Sequence, residues 1–320
     1  MIQTAAAPMF ITAPDIARAI GHIDTRTALA EMFSALKKGT AIQPPQMLVP
    51  FPGRTGDFIA YMGVLSASKV FGTKLSPYIV TQGAPLVTAW TVLMSMETGL
   101  PLMLCDSGQL TVERTAGTTA LAVDLLARRD ATRLAVIGAG PVARAHLRHV
   151  LPLRAWASIR VYAPGLQADT TSRSELAAVC PAAVVAEDAA SCIRDADVVM
   201  LCTSSGTPVV NAADFSRTAL VTSISTNAAR AHEIPPAMLQ DMDVYCDYRR
   251  TTPAIAGEMT LAAEAHGWQE HQVCGDLPEL VEQACPLPDY ERHVFFRSVG
   301  LGLEDVAIAN ALFRHYQSKG

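Results

Sequence analysis

Leu134-Ala135-Val136-Ile137-Gly138-Ala139-Gly140-Pro141-Val142-Ala143 decides the fold. An unbroken apolar run reads as a buried strand, and the glycines after it open a helix. This is the Gly-x-Gly-x-x-Gly/Ala pattern in the context it needs. Gly138 allows the tight turn, Gly140 lets backbone approach a pyrophosphate, and Ala143 lets helix and strand pack closely. The helix N-terminus at Pro141 and Val142 offers N–H groups and a partial positive charge to phosphates. Pro141 suits an early helical position, where no N–H is missed. The alternative is a tight strand–helix turn without ligand; the flanking strand and helix favour a nucleotide.

Working outward, the downstream rhythm is strand–helix–strand. Strands are expected at Arg133–Ile137, Ser158–Tyr162, Ala183–Ala186, Asp197–Cys202, Leu220–Ile224 and Val244–Cys246, with helices between. That alternation predicts a doubly wound, Rossmann-type parallel sheet in an α/β protein. Upstream, Pro14 to Lys38 reads as helix with a break near Gly21. From Ala41 to Leu104, short β-prone pieces punctuated by Gly and Pro predict a small, mostly antiparallel sheet in a second, α+β domain. Thr111 to Ala127 is helical, and so is a last segment from about Leu303 to Tyr316, which could pack back onto the first domain.

Composition bounds the rest. The chain has 320 residues, 50% hydrophobic and 17% charged, with a net charge of −5. That excludes a disordered chain and argues against a nucleic-acid partner, which calls for a concentrated basic surface. No apolar run reaches the roughly 20 residues that span a bilayer, and no basic leader precedes the early apolar stretch, so neither a membrane nor a secretory route is expected. The seven cysteines are scattered without a Cys-x-x-Cys pair. They read as buried thiols of a reducing cytoplasm, with no metal site.

The acid that usually ends the second strand of an NAD-binding unit is absent. Ala163-Pro164-Gly165 stands there. Its loss removes repulsion against a 2′-phosphate, which favours NADP(H) over NAD(H), with Arg173 or Arg144 as a partner; otherwise Asp169 reaches back to the ribose. Thr203 and Ser204 follow the fourth strand, at the carboxyl end of the sheet where ligands bind.

Leu110-Thr111-Val112-Glu113-Arg114-Thr115-Ala116, an Ala-rich helix and then the Gly-x-Gly strand resemble the ornithine cyclodeaminase/mu-crystallin family. Phe71-Gly72-Thr73-Lys74-Leu75, Thr98-Gly99-x-Pro101 and Ser298-Val299-Gly300-Leu301-Gly302-Leu303-Glu304-Asp305 are similar to further family motifs in the same order. The resemblance implies a substrate-binding and dimerisation domain over residues 1–118, a Rossmann domain over 119–298, and a C-terminal helix over 299–320 returning to the first domain. It implies a homodimer, an amino or imino acid substrate and a nicotinamide cofactor. Lys74 and Arg114 match the family residues at the substrate carboxylate, a role that suits an arginine fork. Cofactor contacts are expected at Arg114, Thr115, Gly138, Gly140, Pro141, Val142, Ala143, Thr203, Ser204, Ser223, Ser225, Ser298 and Val299.

Two departures from the family shape the functional expectation. Gln46 stands where many members have an arginine for the carboxylate. Asn227 stands where the cyclodeaminases carry an aspartate, and asparagine cannot exchange a proton near neutral pH. The resulting expectation is an NAD(P)H-dependent reductase of an α-imino acid, or the reverse amino acid dehydrogenation, acting on CH–NH or CH–NH2. Lys74 and Arg114 fix the carboxylate, and Asn227 orients the imine nitrogen or the cofactor carboxamide. The alternatives are a cyclodeaminase with retained NAD and a non-catalytic NADPH- or small-ligand-binding protein. Among other polar residues, His232 with Glu233 reads equally as a site pair or a helix start, and Asp305 as a cap or anchor of the closing helix. Tyr61 lines the substrate pocket or fills the sheet. His146 and His149 read as surface residues. Glu113, Asp57 and Glu258 are the carboxylates considered for a basic substrate side chain.

Overall fold

The Gly-x-Gly turn ends a parallel strand and begins a helix, and the rest of the chain is arranged around two sheets. The computed structural model describes residues 7–226 and 230–319. In chain order the strands are β1 (Met9–Ile11), β2 (Ala41–Ile42), β3 (Met47–Pro50), β4 (Gly56–Leu65), β5 (Val70–Ile79), β6 (Leu86–Val87), β7 (Trp90–Ser95), β8 (Pro101–Asp106), β9 (Arg133–Ile137), β10 (Ser158–Tyr162), β11 (Val184–Val185), β12 (Val198–Leu201), β13 (Leu220–Ser223), β14 (Met242–Cys246), β15 (Val273–Asp276) and β16 (His293–Arg297). The helices are α1 (Ala13–Ala19), α2 (Thr25–Lys37), α3 (Gly108–Leu126), α4 (Pro141–Val150), α5 (Thr170–Val179), α6 (Ala189–Ile193), α7 (Thr252–Ile255), α8 (Gly257–His266), α9 (Leu277–Val281) and α10 (Gly302–Gln317). The chain divides into two units, Met1–Arg114 with Gly300–Gly320, and Thr115–Val299.

In the first unit the break near Gly21 is a 3-10 turn, Ile20–His22, between α1 and α2. Asp24 then caps α2, its carboxylate accepting the Thr27 N–H at 3.0 Å. Ile16, Leu29 and Phe33 are fully buried on the apolar faces of these helices. The sheet has eight strands in the order β1-β8-β7-β5-β4-β2, with β3 on β4 and β6 on β5. Only β1 on β8 runs parallel among its pairs. It is larger than the small sheet the sequence suggested, because β1, β2 and β6 join it and β4 and β5 pair without interruption from Gly56 opposite Ile79 to Leu65 opposite Val70.

The second unit is an eight-stranded, all-parallel sheet in the order β11-β10-β9-β12-β13-β16-β14-β15. The order reverses between β9 and β12, and such switch points open a ligand crevice at the carboxyl ends of the strands. β12 and β13 are buried at every position, as strands of a covered parallel sheet are. Two of its strands were not anticipated. β15 contains Gly275 and Asp276, which are poor strand formers, and β16 runs directly into the closing motif.

His146 is a correction: it is buried, not on the surface. Its Nδ1 lies 2.8 Å from the Val142 carbonyl oxygen and its Nε2 2.9 Å from Thr119 Oγ1. A carbonyl only accepts, so Nδ1 carries the proton. Among the described residues no helix is long and apolar enough to cross a membrane, and no group of His, Cys, Asp and Glu is arranged to hold a metal ion.

Candidate active site

The second unit carries a cradle at the switch point. Gly138 has φ +124°, and a Cβ there would stand 2.4 Å from the Cys202 carbonyl oxygen. Only glycine lets β9 turn this close to the end of β12. A Cβ on Gly140 would meet nothing in the protein within 4 Å, so that edge of the turn is open. Ala143 is buried where α4 packs on the sheet. A cleft of about 750 Å3 is lined by Gly138–Val142, Tyr162–Pro164 and Cys202–Ser205. Its glycine edge and the N–H groups at the start of α4 suit a dinucleotide pyrophosphate.

The ribose end of that cleft has Ala163 and Pro164 and no acid. Asp169 caps α5 instead, accepting the Ser172 N–H at 3.0 Å and its hydroxyl at 2.7 Å. These bonds hold its carboxyl below the usual range. Arg173 donates to the Gln167 carbonyl at 3.2 Å and lies on a separate cleft. Arg144 donates to the Ala139 carbonyl at 2.9 Å within the glycine turn and pairs with Glu175 at 2.8 Å.

The hydroxyls expected to face cofactor are turned to protein acceptors. Thr203 and Ser223 donate to Glu233, Ser225 to the Ser205 carbonyl, and Ser298 to Asp247, which also accepts the Val299 N–H. Ser204 is exposed on the cleft, and Thr115 is half-buried on α3.

The first unit carries a buried ionic cluster. Lys74 on β5 lies in register between Tyr61 on β4 and Thr91 on β7. It is 1% exposed, with Nζ 2.9 Å from Asp305 Oδ2, 3.3 Å from Thr111 Oγ1 and 4.3 Å from the centre of the Tyr61 ring. Arg114 shares the same acid: Nε donates to Asp305 Oδ1 at 3.1 Å, and Nη1 to Glu304 Oε2 at 3.2 Å. Glu304 and Asp305 belong to the first turn of α10, where the helix dipole favours carboxylates. Burial drives Lys74 down to about 8, against the pull of Asp305. Burial also works against the Arg114 charge, but Asp305 and Glu304 outweigh it and raise its pKa. Burial raises the Tyr61 phenol.

Gly300 fits against this cluster with φ +79°, and a Cβ on it would stand 2.1 Å from Arg114 Nη1. Its carbonyl accepts from Gln46 Nε2 at 3.4 Å. Lys74, Arg114 and Gln46 thus lie on one connected set of contacts. Asn227 falls outside the described residues. Asp305 is the hub of the cluster rather than a simple helix cap, and Glu304 and Thr111 were not singled out from sequence. Their signal was present in the closing motif and the Leu110–Ala116 segment, but nothing local ties them to Lys74.

Of the carboxylates considered for a basic side chain, Glu258 is in the second unit, 2.7 Å from Arg297 Nε and fully buried. Burial raises its pKa and Arg297 opposes the rise. Glu113 is buried on α3, and Asp57 is half-buried opposite Tyr78.

A parallel sheet with a glycine cradle at its switch point defines a dinucleotide-binding α/β protein. The model of the ornithine cyclodeaminase/mu-crystallin family matches residues 7–320, and the chain belongs to that family. It is 52% identical over 316 residues to the NAD(P)H-dependent anabolic L-arginine dehydrogenase DauB of Pseudomonas aeruginosa, covering 99% of this chain and 100% of that one. Two solved structures share the fold. A Thermococcus litoralis Δ1-pyrroline-2-carboxylate reductase with NADH and L-proline has a TM-score of 0.89 at 21% identity, covering 98% of each chain. An archaeal alanine dehydrogenase dimer with bound NAD has a TM-score of 0.87 at 22% identity, covering 98% of this chain and 97% of that one.

Proposed function

We propose that this chain is an NAD(P)H-dependent dehydrogenase of a basic α-amino acid, working through reduction of the corresponding imino acid. The observation that carries the reading is the buried pairing of Lys74 and Arg114 on one carboxylate, Asp305. Two cations held in a low-dielectric site beside an acid are poised to accept a second acid, the substrate carboxylate. Arg114 spends Nε and Nη1 on Asp305 and Glu304, which leaves the Nη2 edge of its fork to the incoming group. Lys74 adds a point charge, and Gln46 a neutral hydrogen bond. Asn227 is proposed to orient the imine nitrogen.

A nicotinamide, when bound, supplies the hydride for Cα. The residues that would hold the dinucleotide are Gly138, Gly140, Pro141, Val142 and Ala143, with the Thr203–Ser204 and Ser298–Val299 rims beside them. With no ionisable side chain at position 227, the imine nitrogen is best supplied with its proton by entering as the iminium. The basic side chain of the substrate is supported by the 52% identity to an L-arginine dehydrogenase over the full chain. NADP(H) over NAD(H) is supported by Ala163 and Pro164 where an acid would repel a 2′-phosphate.

A homodimer belongs to the same proposal. Tyr78 on β5 and Val87 on β6 pair as neighbours, and with Leu86 they leave an exposed apolar edge on the first unit's sheet. A cytoplasmic setting is supported by seven free cysteines.

The test is a spectrophotometric panel at 340 nm. NADPH and NADH are each offered with ammonia and 2-oxo-5-guanidinovalerate, pyruvate or oxaloacetate, and with Δ1-pyrroline-2-carboxylate. The expected outcome is stoichiometric cofactor consumption, fastest with the guanidino acid. Ammonia release from ornithine with no net change at 340 nm would instead mark a cyclodeaminase. Cofactor binding with no turnover on any substrate would mark a binding protein.

A further inference from the structure

The second unit contains a buried polar chain that no step above uses. Glu233 is fully buried and accepts five hydrogen bonds. Oε1 takes the Thr203 N–H at 2.9 Å and the Thr203 hydroxyl at 2.7 Å. Oε2 takes the Ser223 hydroxyl at 2.7 Å and the N–H groups of Ile224 and Ser225 at 2.9 and 3.1 Å. The Glu233 carbonyl also accepts the Val209 N–H at 2.9 Å. A single carboxylate thus ties the carboxyl end of β12 to that of β13.

Arg297, on β16, extends the chain. It is 1% exposed, the largest side chain buried so completely among the described residues. Nη1 donates to Ser223 Oγ at 3.2 Å, so Ser223 passes its own proton on to Glu233. Nη2 reaches the carbonyls of Ser225 at 2.6 Å and Ala231 at 3.5 Å, and Nε pairs with Glu258. Ser225 and Ala231 flank the segment that carries Asn227. Among the described residues, the donors to Glu233 are backbone N–H groups and hydroxyls, and Arg297 behind them pairs with Glu258.

We propose that Glu233 is a positioning residue: through the chain Glu258–Arg297–Ser223–Glu233–Thr203 it sets the cofactor-facing ends of β12 and β13 and anchors both flanks of the Asn227 segment. The chemistry supports a fixed frame over a reactive group. Five donors saturate the lone pairs of this carboxylate, and they come from Ser223 at the end of β13 and from residues that directly follow β12 and β13.

The turnover arm of the test rests on the function proposed above; the cofactor-affinity arm does not. Glu233→Gln keeps the shape but turns an NH2 toward donors, leaving at least one backbone N–H unmet. NADPH affinity, read by fluorescence titration, should weaken about tenfold and kcat should fall about tenfold, the effect expected of orphaned buried donors. Arg297→Lys keeps the charge beside Glu258 and loses the fork to Ser225 and Ala231. It should lower kcat about tenfold and weaken NADPH about threefold. A folded variant with a lower Tm but wild-type kcat and NADPH affinity at 25 °C marks a merely structural carboxylate and overturns the proposal. If Glu233→Gln does not fold, Arg297→Lys carries the same test. If the wild type reduces no imine, the proposed function fails and NADPH affinity alone decides this inference.

Discussion

The two units solve the same problem, burying a carboxylate, in opposite ways. In the Rossmann unit, Glu233 is met by strand-end N–H groups and short hydroxyls. In the first unit, Asp305 is met by the tips of two long side chains, Lys74 and Arg114. Backbone donors stay where the sheet puts them. Lysine and arginine tips can let go of one carboxylate and take another of the same charge. On the function proposed above, the comparison separates a frame, built on Glu233, from a grip, in which Lys74 and Arg114 would exchange one carboxylate for another when substrate enters.

The largest expected effect breaks the grip outright. Arg114→Met should lower kcat/KM for the carboxylate substrate by about 10³-fold or more, since an arginine–carboxylate fork is charge-assisted and buried. NADPH affinity should fall far less than kcat/KM, because the glycine cradle is untouched. Equal losses in both, measured by steady-state kinetics and fluorescence titration, would mean that the grip and the frame are one device.

A milder blow leaves both cations present. Gly300→Ala forces a Cβ to 2.1 Å from Arg114 Nη1 at φ +79°. About 1–3 kcal/mol of strain is expected from the backbone alone. Chemical denaturation should show that loss, and KM for the carboxylate should rise more than kcat falls. An unchanged KM would show that Arg114 is not where substrate is read.

The smallest effect is a titration. Lys74 is held down to about 8 by burial, so its charge is lost within a working pH range. kcat/KM, which reports the free enzyme, should fall as pH rises through about 8, and Lys74→Arg should move that limb upward. Stability runs the other way. Between about 8 and the unperturbed 10.5 the unfolded chain holds a proton on this lysine that the folded chain has released. The Lys74 contribution to stability therefore improves with rising pH over that window. A kcat/KM that follows Tm across the window would argue against the grip.

How much of this was legible in the sequence follows the same division. The cradle is local: strand, glycines and helix lie within Arg133–Val150, so spacing alone exposes it. The break between α1 and α2 was legible for the same reason. Lys74 and Arg114 came from motif resemblance, but their shared partner is 231 residues from Lys74 and neither end announces the other. Glu233 was harder still. Its donors come from positions 203 and 223–225, and only the strand order brings them together. His146 was misread because α4 buries a broad face that includes Ala143, Ala145 and Leu147. Small alanines hide a buried stripe from any reading based on large apolar residues.

The return of α10 to the first unit has a consequence for biosynthesis. Glu304 lies 190 residues beyond Arg114, with the whole of the Rossmann unit between them. A ribosome must finish that unit before the acids that neutralise Lys74 and Arg114 leave the exit tunnel. Until then Lys74 and Arg114 lack the two carboxylates that pair with them in the finished fold, so the first unit can complete its ionic cluster only after the Rossmann unit has been synthesised.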